Sequence, residues 1–415
     1  MSKKALTAGL DIGSNQVCCV VGIQDEVTRL VKILGAVSIP CDGVKAGAVI
    51  NIQEAALVIG KAFEEIDRIV VGSQIDNVIV AMRGNFINAK NSKGVASINY
   101  SNKEVSKETI ENAIESARKQ IKIESDQEIF QIIPREYILN QQRGIQNPIG
   151  MEGTYIEVDV HAFIASSSNL CNITKAMSSV GINHSNRIYG YLAASNILVT
   201  KEEKELSCLV IDFGGLTIGL VHYVDGMIKH TDELSNGSDY ITRDIGHKLR
   251  TAYSISKEIK ERYGAAFAYN DFKNEEFEYK AADGRSIKKC SKIDLVNGII
   301  MPRVDRILYE IKEIIEKNNY GEEFLSGGII LTGGGSSLPG LSEAFEKAFN
   351  CSVRTGIPNS DKVIGSDEIL LNPSYTTAIG TVVSVFSNSR YYIMQKKSSE
   401  NNLMSKISKW FEEFF

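Results

Sequence analysis

Three glycine-punctuated turns carry the residues of this sequence best suited to chemistry. Asp11-Ile12-Gly13-Ser14-Asn15-Gln16 runs into the apolar stretch Val17 to Ile23, and Asp212-Phe213-Gly214-Gly215-Leu216-Thr217 runs into Ile218 to Val224. The third, Gly333-Gly334-Gly335-Ser336, follows the strand-like Ile329-Ile330-Leu331-Thr332. In a tight glycine turn, backbone N–H groups can point together at phosphate oxygens. The missing Cβ lets the anion come close. Aspartates at the tips of two such turns, facing across a cleft, can hold Mg²⁺ through waters, because this ion dehydrates reluctantly. The bare glycine bend can lie flat against an adenine or ribose. One Asp-x-Gly hairpin alone is most often just a turn; the set, in this order and spacing, points to a nucleotide.

The elements that must position these turns form a repeat. Each aspartate turn sits between two strands, and the two units lie about half a chain apart, which implies two lobes related by a pseudo-twofold. Further strands are expected over Leu30 to Val37, Val78 to Met82, Phe130–Ile133 and Tyr155–Val160. Glu54 to Ile66 reads as a helix with Ala55, Ile59, Ala62, Phe63 and Ile66 on one face. Ser106 is placed to cap a second helix carrying Ile110, Ile114, Ala117 and Ile121. A long helix follows from Arg303 to Ile315, and another begins near Leu341. Strands alternating with helices define an α/β protein.

Composition removes several function classes. Of 415 residues, 43% are hydrophobic and 23% charged, ordinary for a globular chain, and the net charge of −5 gives no support for a nucleic-acid partner. No apolar run is long enough to span a bilayer, and no secretory leader is expected at the N-terminus. The seven cysteines are scattered without a Cys-x-x-Cys pair. This pattern fits a reducing compartment rather than a disulfide framework or zinc site.

The far end differs from the rest. Residues 388–402 are polar, with Lys396 and Lys397, and read as a linker. Beyond it, Leu403, Met404, Ile407, Trp410, Phe411, Phe414 and Phe415 fall on one helical stripe, opposite Lys406, Lys409, Glu412 and Glu413. At roughly 1.5 Å per residue such a helix is about 20 Å long, too short to cross a membrane but suited to lie in its interface. A single tail binds lipid weakly; an array of tails on a polymer binds through avidity.

These residues resemble the actin–Hsp70–sugar kinase superfamily. More closely, nearly the whole chain resembles the FtsA family, actin-like bacterial division proteins that tether FtsZ to the membrane. The family's first phosphate loop looks like Gly9 to Gln16, its second like Asp212 to Thr217, and its adenosine loop like Gly333 to Ser336. Val78 to Gly84, Asn91-Ser92-Lys93-Gly94, Ile132-Ile133-Pro134, the turn-rich segment from Ile145 through Gln146 to Gly153, and Val158-Asp159-Val160-His161 are similar to the extra subdomain of that family. Gly237-Ser238-Asp239-Tyr240 resembles a loop near the nucleotide, and Met301-Pro302-Arg303 the place that grips the FtsZ C-terminal peptide.

The resemblance implies an actin-like (ribonuclease H-like) two-lobed α/β fold with an inserted subdomain and a C-terminal amphipathic helix. The expected divisions are residues 1–77, 163–189 and 365–387 for the first core domain and 78–162 for the insertion. Residues 190–229 and 304–364 make the second core domain, 230–303 a small partner-binding domain, 388–402 the linker and 403–415 the membrane helix. The implied ligands are ATP and Mg²⁺. The implied nucleotide contacts are Asp11, Gly13, Ser14, Asn15 and Gln16 from the first turn. Asp212, Gly214, Gly215 and Thr217 come from the second, Gly333, Gly334, Gly335 and Ser336 from the third, and Gly237 and Lys260 from elsewhere. Asp11 and Asp212 hold the metal through water, and Asp212 is the candidate for any catalytic role. Implied partners are the FtsZ peptide at Arg303, further copies of the chain, membrane lipids and other division proteins, at the cytoplasmic face of the membrane.

Departures from the family pattern bear on turnover. The family usually has Lys where Gln16 stands, Gly-Thr-Thr-Asp where this chain reads Leu216-Thr217-Ile218-Gly219, and Glu-Pro where it reads Gly190-Tyr191. Losing a cation weakens phosphate stabilisation, and losing polar residues after Asp212 thins the groups that could position a water. Binding of ATP with weak or absent hydrolysis is the expectation. The rival readings are a phosphotransferase on the same fold and a membrane scaffold that holds no nucleotide.

Overall fold

The computed structural model describes residues 6–71, 74–99, 103–145, 147–184, 186–268, 275–318, 325–386 and the short strand Tyr392–Ile393. The linker 388–402 apart from that strand, Gln146, Lys396, Lys397 and the amphipathic segment 403–415 lie outside the described residues.

Two sheets share one plan. In the first lobe, Val31–Pro40, Gln16–Gln24 and Leu6–Ile12 form an antiparallel meander, and Ile75–Met82 and Asn186–Tyr189 extend it in parallel. In the second, Met227–Leu234, Ile218–Val224 and Cys208–Phe213 form the same meander, and Ile329–Thr332 and Val353–Thr355 extend it in parallel. The repeat expected from the two aspartate turns is thus a repeat of whole sheets. The central strands are covered on both faces. Leu6–Ile12 and Cys208–Phe213 are buried throughout, so each reads as a largely apolar run that carries its aspartate one residue before the end. The helices Gly190–Leu198 and Thr376–Phe386 cross between the lobes, with Gly380 lying against the carbonyl of Ala193.

Several helices follow the sequence closely. Ile52–Ile69 extends the expected helix by a few residues at each end, with Asn51 accepting from the Glu54 N–H at its start. Ser106 caps Lys107–Gln120 in a reciprocal pairing with Thr109. Met301–Lys317 buries Val304, Ile307, Leu308, Ile311 and Ile315, each contributing about 1.5–3 kcal/mol of burial.

The inserted unit is a sheet of Ile87–Ser97, Tyr155–Ser166 and Gln127–Leu139, with Gln142–Ile145 on its edge and Lys107–Gln120 packed across it. The helix backbone rests directly on Gly94, where a Cβ would lie 2.0 Å from the carbonyl oxygen of Ala113. Two boundaries differ from the expected divisions. Ile75–Met82, counted with the insertion from position 78, pairs with Leu6–Ile12 in the first-lobe sheet, because its apolar end fills the slot beside that strand. Val363–Ile364, counted with the second lobe, pairs with Val31–Pro40 of the first. Among the described residues no helix is long and apolar enough to cross a membrane.

Candidate functional site

The three turns meet at one cleft of about 310 Å³ between the lobes. The first contributes Asp11, Gly13, Ser14, Asn15 and Gln16, the second Asp212, Gly214, Gly215 and Thr217, and the third Gly333, Gly334 and Gly335. Asp11 and Asp212 stand near the ends of equivalent strands, one residue before the terminus in each case. Both are buried, and Oδ1 of each has no hydrogen-bond partner. A buried carboxylate oxygen without a partner carries a desolvation cost, so this pair is poised for a cation. Among the described residues no cluster of three or more metal-ligating side chains occurs. Two unpartnered carboxylate oxygens on the wall of one cleft are the donor chemistry of a hard cation that keeps much of its water shell, as Mg²⁺ does.

The remaining oxygens of the two aspartates are held differently. Arg83, at the exit of Ile75–Met82, places its Nη2 on Asp11 Oδ2 in an ion pair. Thr377, on the helix Thr376–Phe386, donates to Asp212 Oδ2 at 3.0 Å. A second link spans the cleft: Asn15 Nδ2 donates to Asp239 Oδ1 at 2.8 Å and lies against Gly215. Gly333 has φ +82, and a Cβ there would sit 2.3 Å from Asp212 Oδ1. Only glycine serves at that position.

Two expected contacts stand behind the cleft rather than on it. Ser336 donates to the Gly333 carbonyl at 2.7 Å and so shapes the third turn from within. Gly237 caps Ser238–Leu249 directly on the second turn, where a Cβ would lie 2.4 Å from the Gly215 carbonyl oxygen. Lys260 lines the cleft, its Nζ donating to the Ser238 carbonyl at 3.2 Å, and burial pulls its pKa below the ordinary lysine range. Gln16 turns its amide toward Cys18 Sγ at 3.3 Å.

Residues the sequence did not single out complete the site. Arg83, Lys257 and Thr377 line the cleft beside Asp239, which belongs to the loop expected near the nucleotide. A cation at the end of an apolar strand, followed by Gly84, is the one local signal Arg83 offers. Tyr191, one of the departures from the family pattern, is fully buried. Its hydroxyl pairs with Thr217 Oγ1 at 2.9 Å and its ring lies flat on Gly219, where a Cβ would meet it at 2.3 Å. The two departures therefore fit each other: the ring needs glycine at 219. Behind them, Glu233 accepts from the Gly84 N–H at 2.9 Å, and burial pushes its carboxyl up to about 7.

Arg303 lies away from this cleft, in a shallower concavity of about 460 Å³ shared with His247, Lys248, Ile299, Pro302 and Arg306. Its guanidinium grips Asp244 through two hydrogen bonds of 2.5 and 2.8 Å.

Solved structures similar in shape share this arrangement of lobes. The PilM–PilN type IV pilus biogenesis complex matches with a TM-score of 0.66 at 16% identity, over 92% of this chain and 99% of that one. MreB5 of Spiroplasma citri bound to ADP matches with a TM-score of 0.54 at 12% identity, over 93% and 97%. The fold is actin-like, carrying an inserted subdomain in its first lobe. At the level of sequence, the model described as "Cell division protein FtsA" matches residues 209–380, and "SHS2 domain inserted in FTSA" matches residues 84–164. The Cell division protein FtsA of Neisseria meningitidis serogroup B is 30% identical over 98% of both chains. That of Borreliella burgdorferi is 32% identical over 99% of both, and that of Escherichia coli K12 is 30% identical over 91% of this chain and 89% of its own. The chain belongs to the FtsA family.

Proposed function

We propose that this chain is a division protein that binds Mg²⁺-ATP between its lobes, assembles with further copies of itself, and anchors FtsZ polymers to the cytoplasmic face of the membrane. The observation that carries the reading is the convergence of two buried aspartate turns and a glycine bend on one cleft. The backbone N–H groups of the Gly13 and Gly214 turns cradle phosphates, and Asp11 and Asp212 hold the metal through water. The ion, when bound, neutralises phosphate charge. The Gly333–Gly335 bend takes the adenosine, with Lys260 on the wall beside it.

Hydrolysis is weak or absent in this reading. The ring of Tyr191 fills the space over Gly219, and its hydroxyl is engaged with Thr217. Thr217, the polar side chain that follows Asp212 in this turn, is thereby turned toward Tyr191, and Asp212 serves in binding. ATP stabilises a closed arrangement of the lobes that favours assembly rather than feeding turnover. The MamK double helical filament, an actin-like neighbour with a TM-score of 0.53, is an assembled form of this fold.

Arg303 belongs to a second site. Among the described residues, the concavity around it gathers Lys248, Arg303, Arg306 and His247 over apolar Ile299 and Pro302, with Asp244 the one lining carboxylate. That balance suits an acidic peptide with an apolar anchor, such as the FtsZ C-terminus. The apolar residues spaced along 403–415 in the sequence provide the lipid contact.

Calorimetry with ATP and Mg²⁺, joined to vesicle sedimentation of the whole chain and of a version ending at Asn402, tests the reading. Saturable ATP binding, and FtsZ-dependent pelleting that requires 403–415, are the expected results. Absence of binding at millimolar ATP, or equal pelleting of both versions, refutes the corresponding half.

A further inference from the structure

We infer that Arg83 is the cation that receives the nucleotide's phosphates in this chain, held in reserve on Asp11 and transferring to the phosphate oxygens when the nucleotide is bound. The inference rests on the nucleotide reading above and adds to it a residue at the junction of the first-lobe sheet and the insertion.

Charge at the cleft poses the problem. A nucleotide triphosphate must settle against two turns that each carry a buried aspartate, and the tip residues Ser14, Asn15 and Gln16 carry no charge. The cations lining the cleft are Arg83, Lys257 and Lys260. Both lysines belong to one helix, Tyr253–Tyr263, on the far wall, and Lys260 is engaged with the Ser238 carbonyl. Arg83 is on the turn itself, since a Cβ at Gly13 would lie 3.5 Å from Arg83 Nη2. Its guanidinium is mostly buried, and its Nε has no partner. Five donors in a planar fork, the buried Nε among them without a partner, suit a phosphate better than a single carboxylate oxygen does.

The backbone beneath it is fixed. The Gly84 N–H is held by Glu233 Oε2 at 2.9 Å, so a change of partner is a side-chain rotation and leaves the turn in place. Asp11 Oδ2 faces Arg83 while Oδ1 has no partner, so a metal taken up through Oδ1 competes with the guanidinium for the one negative charge of this carboxylate. Binding of a Mg²⁺-nucleotide therefore frees the guanidinium where the phosphates arrive.

Calorimetric titration of the full chain with Mg²⁺-ATP and, separately, with adenosine tests this. Arg83→Ala is expected to weaken ATP binding by about 10-fold or more, the scale of a lost charge-assisted contact, while adenosine affinity changes by less than about 2-fold. Adding Gln16→Lys to Arg83→Ala, which returns a cation to the first turn, is expected to recover much of the loss. Should Arg83→Ala fail to fold, Arg83→Gln keeps a donor on Asp11 and carries the same expectation. ATP affinity unchanged or improved by loss of Arg83, or ATP and adenosine weakened equally, overturns the assignment and leaves the nucleotide reading standing. Failure of the parent chain to bind ATP overturns both.

Discussion

The two aspartate turns share strand order, register and burial, yet their carboxylates keep different company. Asp11 is held within its own lobe by the guanidinium of Arg83, whereas Asp212 reaches to the other lobe's Thr377 hydroxyl. A neutral hydroxyl leaves the full negative charge of Asp212 in place; an ion pair cancels that of Asp11. The backbone repeat therefore gives symmetric cradles, and the side chains around it make one turn charge-neutral and the other acidic. Internal symmetry of a fold fixes where groups stand, not which charge the site presents.

The sharpest break in the comparison comes from the second turn alone. Gly333→Ala drives a Cβ toward Asp212 Oδ1 and the Phe213 carbonyl while leaving Asp11 and Arg83 untouched. Strain of about 1–3 kcal/mol at a positive-φ position, added to displacement of Asp212, predicts loss of ATP binding by about 100-fold in calorimetry. Retention of parent-like affinity would show that the third turn does not shape the site.

Next in size is a pH effect centred on Glu233, which senses both Arg83 and Asp212. Its carboxyl, pushed up to about 7 by burial from an ordinary 4.5, stays protonated in the folded chain where the unfolded chain's has ionised. The folded state then binds more protons between those values, so the contribution of this group is complete on the acid side and lost as pH rises toward 7. Glu233→Gln should remove the loss, raising stability relative to the parent by on the order of 2 kcal/mol at pH 7.5 compared with pH 5, read from denaturant midpoints. His161 works in the opposite sense. Burial pulls it down to about 3, and it is held between Asn91 and Thr231. Its contribution is full above 6.5 and is lost as pH falls. His161→Gln should flatten that acid limb.

Smaller still is the difference between neutralising each aspartate in the absence of metal. Asp11→Asn releases Arg83 and should strengthen Mg²⁺-free ATP binding by about 3- to 10-fold, the scale of one freed charge-assisted contact. Asp212→Asn frees no cation and should gain less. Equal gains would erase the asymmetry between the turns. The least effect is expected for Tyr191→Phe, which deletes one buried hydroxyl contact with Thr217 and should cost about 1 kcal/mol of stability.

What was legible in the chain was local. The Asp-x-Gly turns, the Ser106 cap and the apolar face of Met301–Lys317 each lie within a few residues of one another, so pattern and propensity expose them. Arg83 was not legible, because its partner Asp11 is 72 positions away and a lone arginine after a strand has no distinguishing pattern. Tyr191 and Gly219 stood out as departures, but only packing shows that each requires the other. The placement of Ile75–Met82 in the core sheet likewise depends on pairing with Leu6–Ile12, a contact no window of sequence contains. Ser336 matched a loop by type, while its hydroxyl serves the loop's own carbonyl.

The account stands on paired carboxylates that hold a metal over a nucleotide's phosphates. The most direct measurement is the Mg²⁺ dependence of ATP affinity for the parent chain and for the Asp11→Asn, Asp212→Asn double variant. The parent should gain about 10-fold or more in affinity when Mg²⁺ is added, the order of one metal-mediated contact, and the double variant should show no gain. A parent affinity indifferent to Mg²⁺, or a double variant that responds as strongly, would contradict it.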